Sequence, residues 1–140
     1  MKNDQQLLNL LRENSRRSVS DIAAKLGISR ATVQQRMERL EHSGVIQGYT
    51  IKLDPHFEQK QVSAYVMIRV LARKSTDIIR QLQKHKQLDM LCTISGQYDL
   101  LAKVTAPTTE ALDQTIDYIA DLDGVEKTLS HIVLSRKVDR

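Results

Sequence analysis

The spacing of the apolar residues changes once along this chain, close to the dipeptide Asp54-Pro55. Upstream, apolar residues recur every three or four positions, which is the period of helices that bury one side. Downstream, over residues 62–70, apolar residues alternate with other residues, and this pattern indicates a strand with one buried face. A chain of 140 residues with one such change predicts two small domains, residues 1–54 and residues 61–140, joined by a polar linker at residues 55–60.

The upstream part predicts three short helices with recognisable ends. Ser18 or Ser20 is placed to cap the second helix, and Ser29 is placed to cap the third. Gly27 lies between these two helices, where a left-handed residue commonly ends a helix. Two helices joined by such a short turn form the helix-turn-helix of DNA-binding proteins, whose second helix enters the major groove. We therefore expect a helix-turn-helix at residues 20–43.

The third helix has an apolar stripe that begins at Val33, and its opposite face carries side chains suited to base recognition. Glutamine pairs bidentately with adenine, and arginine pairs with guanine or phosphate. The charge pattern alone also allows a solvated helix face. Arg36 lies beside the stripe and is predicted to form a structural ion pair with Glu41 or Asp21. The residues expected to contact DNA are Ser29, Arg30, Ala31, Thr32, Gln34, Gln35 and Arg39, with Arg16 and Lys52 on phosphate.

Residues 45–53 predict a small β-hairpin after the third helix. Two short apolar runs flank Gly48, which is placed to hinge them, and Asp54-Pro55 terminates the second run. A hairpin at this position is the wing of a winged helix-turn-helix. We expect Lys52 to lie in this wing.

The downstream part predicts the order strand, helix, strand, strand, helix, strand, which is that of the ferredoxin-like fold. Strands are expected at 62–70, 90–95, 99–105 and 125–136, with helices that begin at Ser75 and at Pro107-Thr108. The fold class is therefore α+β. The outer face of the first strand is predicted to carry both polar and apolar side chains. Exposed apolar side chains on such a face favour burial against a second subunit. The contacts predicted for that oligomer interface are Tyr65, Met67 and Leu71.

Charge and cysteine content limit the partner and the compartment. The net charge is +4, and residues 1–60 carry ten basic and seven acidic residues, which suits a polyanionic partner such as double-stranded DNA. The single cysteine, Cys92, has no internal disulfide partner and is expected to be buried, consistent with a reducing compartment. No apolar run is long enough to span a membrane, so we expect no membrane partner and a cytoplasmic protein.

Residue patterns for catalysis or for a metal site are missing from this sequence. The four histidines lie far apart without carboxylates or cysteine at ligand spacing, and the five glycines are spaced as turn residues. We expect no catalytic residue, no metal and no cofactor. Three alternatives stay open: an enzyme on a ferredoxin-like domain, an architectural DNA-binding protein that senses no effector, and an RNA-binding protein.

The order and identity of several motifs resemble the Lrp/AsnC family of prokaryotic transcription regulators, named for the leucine-responsive and asparagine regulators. In the first half the resemblance rests on Ile22-Ala23-Ala24-Lys25-Leu26-Gly27 and on Gly44-Val45-Ile46-Gln47-Gly48-Tyr49. In the second half it rests on Gly96-Gln97-Tyr98-Asp99-Leu100-Leu101 and on Gly124-Val125. These motifs run nearly from end to end of the chain.

The resemblance implies a winged helix-turn-helix joined to a ferredoxin-like effector domain. It also implies homodimers that assemble into octamers, with amino acids or related metabolites bound between dimers. The family's effector loop falls on Gly96, Gln97, Tyr98 and Asp99 of this chain. The alternative is a purely structural loop, in which Gly96 makes the turn, Tyr98 packs and Asp99 accepts backbone amides.

Overall fold

The computed structural model describes residues 2–54, residue 57 and residues 61–139. The chain divides into two compact units, Met1–Lys52 and Leu53–Arg140. Apart from Phe57, the linker predicted at 55–60 lies outside the described residues. None of the helices in the described part of the chain has the length and apolar character needed to cross a membrane.

The first unit consists of three helices around a small apolar core. They are α1 (Lys2–Glu13), α2 (Val19–Leu26) and α3 (Arg30–His42), as the sequence pattern predicts. Leu7, Ile22 and Val33, one from each helix, are fully buried. Each helix therefore contributes its apolar stripe to one shared core, which fixes α3 on the other two helices.

The predicted hairpin at residues 45–53 is wrong, because these residues form no strand pair. A two-residue hairpin turn needs a positive φ, and Gly48 is not among the glycines that adopt one. Instead the chain leaves α3 through Gly44, and the amide of Ile46 donates to the carbonyl of Leu40 at 2.9 Å. Residues 47–54 then continue without regular structure.

The second unit is an antiparallel four-stranded sheet with two helices, which confirms the α+β, ferredoxin-like prediction. The spatial strand order is β2-β3-β1-β4. This order places the first and third strands in the centre of the sheet. The elements are β1 (Val62–Val70), a short 3-10 helix (Ala72–Lys74), α4 (Ser75–Gln83), β2 (Leu88–Thr93), β3 (Leu100–Ala106), α5 (Thr109–Asp121) and β4 (Val125–Ile132).

Several element boundaries differ from the sequence prediction. The second strand spans 88–93 rather than 90–95, and the third spans 100–106 rather than 99–105. Ser75 does not cap α4, because the 3-10 helix runs directly into it and the N-cap position falls on Lys74, which makes no side-chain capping bond. The last strand ends at Ile132 rather than at residue 136. Leu71 lies beyond the end of β1, where its amide donates to the carbonyl of Gly124 at 2.8 Å. Leu71 is therefore a loop residue and not part of the strand face.

The two faces of the sheet have different surroundings. One face packs against α4 and α5, and its β1 residues Ala64, Val66 and Ile68 are fully buried. Among the described residues, no helix of this unit packs on the opposite face, here called the open face. Cys92 lies on the open face and is half-buried, whereas the sequence predicts a buried thiol. The apolar centre of the open face is formed by Met67, Leu101, Leu129 and Cys92, which neighbour one another in the strand register.

Gly124 should be the glycine of this unit that tolerates substitution least. It has a φ of +96°, and a Cβ atom there would overlap the Cβ atom of Lys74. Gly96 has a φ of +121° but open space around it, so Gly96→Ala is the matched control for backbone strain alone. We expect Gly96→Ala to lower the free energy of unfolding by about 1–2 kcal/mol and Gly124→Ala by about 1–3 kcal/mol more. Urea unfolding followed by circular dichroism measures both, and equal losses would contradict the overlap.

Candidate functional site

Local hydrogen bonds cap both helices and hold the turn between them. The hydroxyl of Ser18 caps the start of α2 by accepting from the amide of Asp21, and the hydroxyl of Ser29 caps the start of α3 by accepting from the amide of Thr32, each at 3.1 Å. In the turn between α2 and α3, the amide of Ile28 donates to the carbonyl of Ala23 at 3.1 Å. Gly27 ends α2 with a φ of +64°, the left-handed conformation that the sequence predicts. The caps satisfy amides that have no partner inside their own helices. The left-handed Gly27 and the bond from Ile28 to Ala23 fix the start of α3 relative to α2.

The exposed face of α3 presents four side chains that suit base recognition. Arg30, Ala31, Gln34 and Gln35 are all exposed, as predicted. Thr32 is half-buried, and its hydroxyl lies 2.7 Å from that of Ser29, so the two hydroxyls serve the cap. These four side chains combine one cation, two amides and one methyl group, which match guanine or phosphate, adenine and the thymine methyl group. The carboxylate of Glu38 is also exposed on this helix.

Arg39 is not free, although the sequence places it among the DNA contacts. Its Nη2 atom donates to both carboxylate oxygens of Asp4, at 2.9 and 2.8 Å. The pair joins α3 to α1, which are distant in the sequence. Arg39 thus orients the helix-turn-helix, and the cation that remains on the exposed face of α3 near its start is Arg30.

Arg36 does not form the predicted ion pair. Asp21 pairs with Arg17 at 2.9 Å, and the carboxylate of Glu41 accepts from the hydroxyl of Tyr49 at 2.8 Å. Within the described part of the chain, the Nη1 atom of Arg36 is buried without a hydrogen-bond partner. Asp21 and Glu41, the two predicted partners of Arg36, therefore bind other side chains.

Arg16 and Lys52, the predicted phosphate contacts, are both exposed. They lie on the lining of one cleft of about 790 Å³ between α1 and the extended residues 45–52. Neither side chain forms an ion pair with a described residue, in contrast to the neighbouring Arg17, which binds Glu13 and Asp21. Both cations are thus available to an anion.

Hydrogen bonds to the C-terminal end of β1 anchor the loop at residues 94–99. Asp99 donates its amide to the carbonyl of Ile68 at 2.9 Å, and its carboxylate Oδ2 accepts from the amide of Val70 at 2.8 Å. The Nε of Arg69 donates to the carbonyl of Gln97 at 3.3 Å. The carboxylate of Asp99 therefore has a structural bond, as the alternative interpretation of the loop expects. Arg69 is a loop contact that the sequence does not predict.

Four predicted effector residues lie in this loop at different depths. Gly96, Gln97 and Asp99 are exposed, whereas Tyr98 is half-buried. The positive φ of Gly96 turns the chain between β2 and β3. Among the described residues, no group of histidine, cysteine, aspartate or glutamate side chains is arranged to hold a metal ion. For a small polar ligand, the loop presents the fixed carboxylate of Asp99 and the exposed backbone around Gly96.

Comparison with known proteins gives matches over both units. Residues 2–41 match the AsnC-type helix-turn-helix domain, and residues 63–140 match the Lrp/AsnC ligand-binding domain. An HTH-type transcriptional regulator from Pyrococcus furiosus is 32% identical over 131 residues, which cover 94% of this chain and 88% of that protein. The matched families and relatives are transcriptional regulators and not enzymes, which confirms the sequence prediction.

Solved structures share the same fold. The structure of AsnC from E. coli is 24% identical and superposes with a TM-score of 0.86 over 100% of this chain and 95% of that one. The L-Met complex of a transcriptional regulator from Neisseria meningitidis is 20% identical, with a TM-score of 0.84 over 99% of this chain and 92% of that one. The shared fold therefore extends over more than nine-tenths of each of these neighbours.

The Tyr49–Glu41 hydrogen bond should be visible in an alkaline titration. Partial burial raises the pKa of Tyr49 above 10.0, and the hydrogen bond to Glu41 and its charge raise it further. Because the folded protein favours the neutral phenol, this contribution to stability is present below pH 10.0 and is lost as the pH rises through the raised pKa. The ultraviolet titration of Tyr49 is obtained by subtracting that of Tyr49→Phe.

Glu41→Gln should lower the pKa of Tyr49 but leave it above its ordinary value, since burial remains. An unchanged titration in Glu41→Gln would show that the hydrogen bond is not formed in solution.

Proposed function

Because this chain belongs to the Lrp/AsnC family of transcription regulators, we propose that it binds specific double-stranded DNA sequences through α3 and that a small metabolite, an amino acid, controls that binding. The observation that carries this proposal is an α3 helix that is packed through Val33, joined to α1 by the Asp4–Arg39 pair and exposed along one face. That face presents Arg30, Ala31, Gln34 and Gln35. A protein with this target acts where the DNA is accessible, so we place it in the cytoplasm.

Sequence readout requires rigid side chains of the right chemistry. The Ser29 cap, the buried Val33 and the Asp4–Arg39 pair restrict the movement of α3. Base contacts then supply discrimination, while cations such as Arg16 and Lys52 supply affinity for phosphate that does not depend on sequence. Ser29 and Thr32, at the start of α3, are placed to donate to phosphate as well.

Substitutions on α3 should separate base reading from phosphate binding. Gln35→Ala removes a bidentate donor and acceptor, so we expect roughly a ten- to hundredfold loss of preference at one base pair. Arg30→Ala should weaken binding to all sequences and reduce the salt slope by about one if it contacts phosphate. The probe is DNA selected by the wild-type protein from a random-sequence pool.

Gln114→Ala is the matched control, because it makes the same change on an exposed position of α5 in the other unit. If the Arg30→Ala, Gln35→Ala double variant selects the same sequences with the same affinity, α3 does not read the DNA.

The open face of the sheet is the proposed dimer interface. Its apolar centre contains Met67 and Leu129, and Tyr65 beside them is exposed by 39%. A small domain that leaves such a face uncovered buries little surface by itself, which favours association with a second copy. Leu71 was predicted for this interface from the strand alternation, and its position beyond β1 puts it at the margin of the face.

A two-fold dimer presents two copies of α3, so we propose a palindromic or pseudo-palindromic DNA site. Assembly of dimers into an octamer is the further step that the family resemblance implies. An octamer would hold several helix-turn-helix units and raise the affinity for DNA through multivalency.

An amino-acid effector is proposed for the loop that contains Gly96, Gln97, Tyr98 and Asp99. The support is the anchored carboxylate of Asp99, the exposed backbone around Gly96 and the fold shared with a regulator whose structure is an L-Met complex. A carboxylate pairs with an α-ammonium group when water is excluded. If the ligand prefers one assembly, its binding shifts the population toward that assembly.

Substitution of Asp99 should remove the effector response. Asp99→Asn keeps an oxygen that accepts from the amide of Val70 but removes the charge, whereas Asp99→Ala removes both. We expect Asp99→Asn to weaken the binding of the amino acid about tenfold or more while ligand-free DNA binding stays unchanged. Calorimetry with each of the twenty L-amino acids measures this on the wild type and on both variants.

A second candidate function is an architectural DNA-binding protein without an effector. The structural bond between Asp99 and the amide of Val70 favours it, because the loop then has a role in folding alone. Absence of heat with all twenty amino acids, or equal heats for the wild type and Asp99→Asn, would favour this function over amino-acid sensing.

A further inference from the structure

A groove, here called the edge groove, runs along one free edge of the sheet between β2 and α4. Its volume is about 330 Å³, and its lining consists of all six residues of β2, Leu88–Thr93, with Ile79 and Gln83 of α4 and Leu100 of β3. Successive side chains of a strand point to opposite faces, so a groove that touches every residue of β2 follows the backbone edge and not one face. The edge groove therefore has the shape of a site for one extended chain.

β2 also lacks a neighbouring strand on that side. It is the outermost strand in the order β2-β3-β1-β4, and no described strand lies beside its outer edge. The backbone N–H and C=O groups of such an edge can pair with a further strand. When a peptide adds to a sheet in this way, backbone hydrogen bonds supply affinity and alternate side chains fill the adjoining groove. Ile79 and Leu91, half-buried against the core of this unit, are the apolar side chains that would receive them.

The segment after β4 carries apolar side chains that nothing in its own copy covers. Residues 133–139 form this segment, here called the β4 extension, and the amide of Val133 still donates to the carbonyl of Ser63 at 2.9 Å. Beyond that bond, Leu134 is 94% exposed and Val138 is 70% exposed. In an extended chain these two residues lie on the same side, with Arg136 between them. The β4 extension thus presents an apolar, a cationic and an apolar side chain in a row.

The edge groove and the β4 extension match in charge as well as in polarity. Asp89 is the acid among the residues that line the groove, and it forms no ion pair with a described residue. Arg136 is the cation at the middle of the β4 extension, and it pairs with Asp139 at 3.1 Å. Because an exposed pair of this kind contributes little free energy, Arg136 can exchange Asp139 for Asp89.

The β4 extension of one copy cannot fill the edge groove of the same copy. β4 and β2 are at opposite edges of the sheet, with β1 and β3 between them. A strand added outside β2 would lie four strand spacings from β4, which is roughly 19 Å. Leu134 comes two residues after Ile132, the last residue of β4, so it reaches about 7 Å at most. A β4 extension that places both apolar side chains in the groove must therefore come from another copy.

We propose that the β4 extension of one copy adds as a further strand to β2 of a copy in a neighbouring dimer. Leu134 and Val138 then fill the edge groove, and Arg136 pairs with Asp89. This inference rests on the proposed dimer through the open face and adds the contact between dimers. Donor and acceptor are different surfaces, so each copy can link to two others. A single contact of this length is weak, and the paired contacts of two dimers strengthen it through multivalency.

Sedimentation velocity of the full chain over a range of concentrations tests this contact. We expect the wild type to form assemblies larger than a dimer. Leu134→Asp places a charge against the apolar groove, so we expect it to remain a dimer until the concentration is about tenfold higher or more. The exposure of Leu134 within its own copy means that this substitution leaves the fold intact.

Ser135→Asp is the matched control for Leu134→Asp. It introduces the same charge at the next position, which lies on the other side of an extended chain. We expect the concentration at which dimers associate to change less than about twofold, because the charge then points away from the groove and is screened by salt.

Exchange of the two paired charges tests the partner surface. Arg136→Asp and Asp89→Arg should each weaken the association of dimers about tenfold, because each brings like charges together. The double variant restores opposite charges and should associate within about threefold of the wild type. Circular dichroism checks that each variant is folded, since Asp89→Arg also removes the bond from the hydroxyl of Thr105.

The outcomes separate this inference from the proposed dimer. A wild type that is monomeric at every concentration would contradict the dimer, and the inference fails with it. A wild type that stops at the dimer would leave the dimer standing and overturn the contact between dimers. Association that Leu134→Asp leaves unchanged, or that Ser135→Asp weakens equally, would exclude the edge groove, as would a double variant that associates no better than the single ones. Dissociation of Leu134→Asp to monomers would place the β4 extension in the dimer interface instead.

Discussion

The uncovered face of the four-stranded sheet is the constraint on which the rest of the account depends. Both helices of the second unit pack on one side of the sheet, so Ala64, Val66 and Ile68 are sealed while Met67 and Leu129 on the other side are not. A second copy is the simplest cover for an apolar face of this kind. In the proposed dimer, association determines how many copies of α3 act together and how the proposed DNA target is arranged.

The first unit meets a different requirement, which is rigidity of one exposed helix. Its core is small, and the residues that fix α3 are distributed among Leu7, Ile22 and Val33, the Ser29 cap and the Asp4–Arg39 pair. The exposed ion pair contributes little free energy, about 1 kcal/mol or less, but it sets an orientation. The side chains left on the exposed face of α3 are consequently fewer than the sequence suggests, and they are mostly uncharged.

Features with a local cause were predicted well from the sequence. Ser29 and Gly27 act through neighbouring backbone groups, and the alternation in β1 depends on one face of one strand, so a short window contains the information. The order of the elements also follows from local patterns, and it was enough to predict the ferredoxin-like sheet. The half-buried state of Cys92 was missed, because alternation does not reveal which face the helices cover.

Features that depend on distant partners were missed. Asp4 and Arg39 are 35 residues apart, so nothing near Arg39 indicates that its guanidinium is engaged. The contact of Arg69 with Gln97 depends on strand register and on the path of the loop, so the sequence does not predict it. The prediction of a hairpin at residues 45–53 is wrong for a different reason. A glycine such as Gly48 is compatible with a tight turn but does not by itself produce one.

Sedimentation velocity of the full chain, with and without its selected DNA, tests the central claim most directly. The account predicts that the wild type sediments as a dimer or a larger assembly. Met67→Asp places a charge in the apolar centre of the open face, so this variant should sediment as a monomer and should no longer form a dimeric complex on palindromic DNA. Its circular dichroism spectrum should show that it is folded. A wild-type monomer at the concentrations that saturate the DNA, or an unchanged assembly of Met67→Asp, would contradict the account.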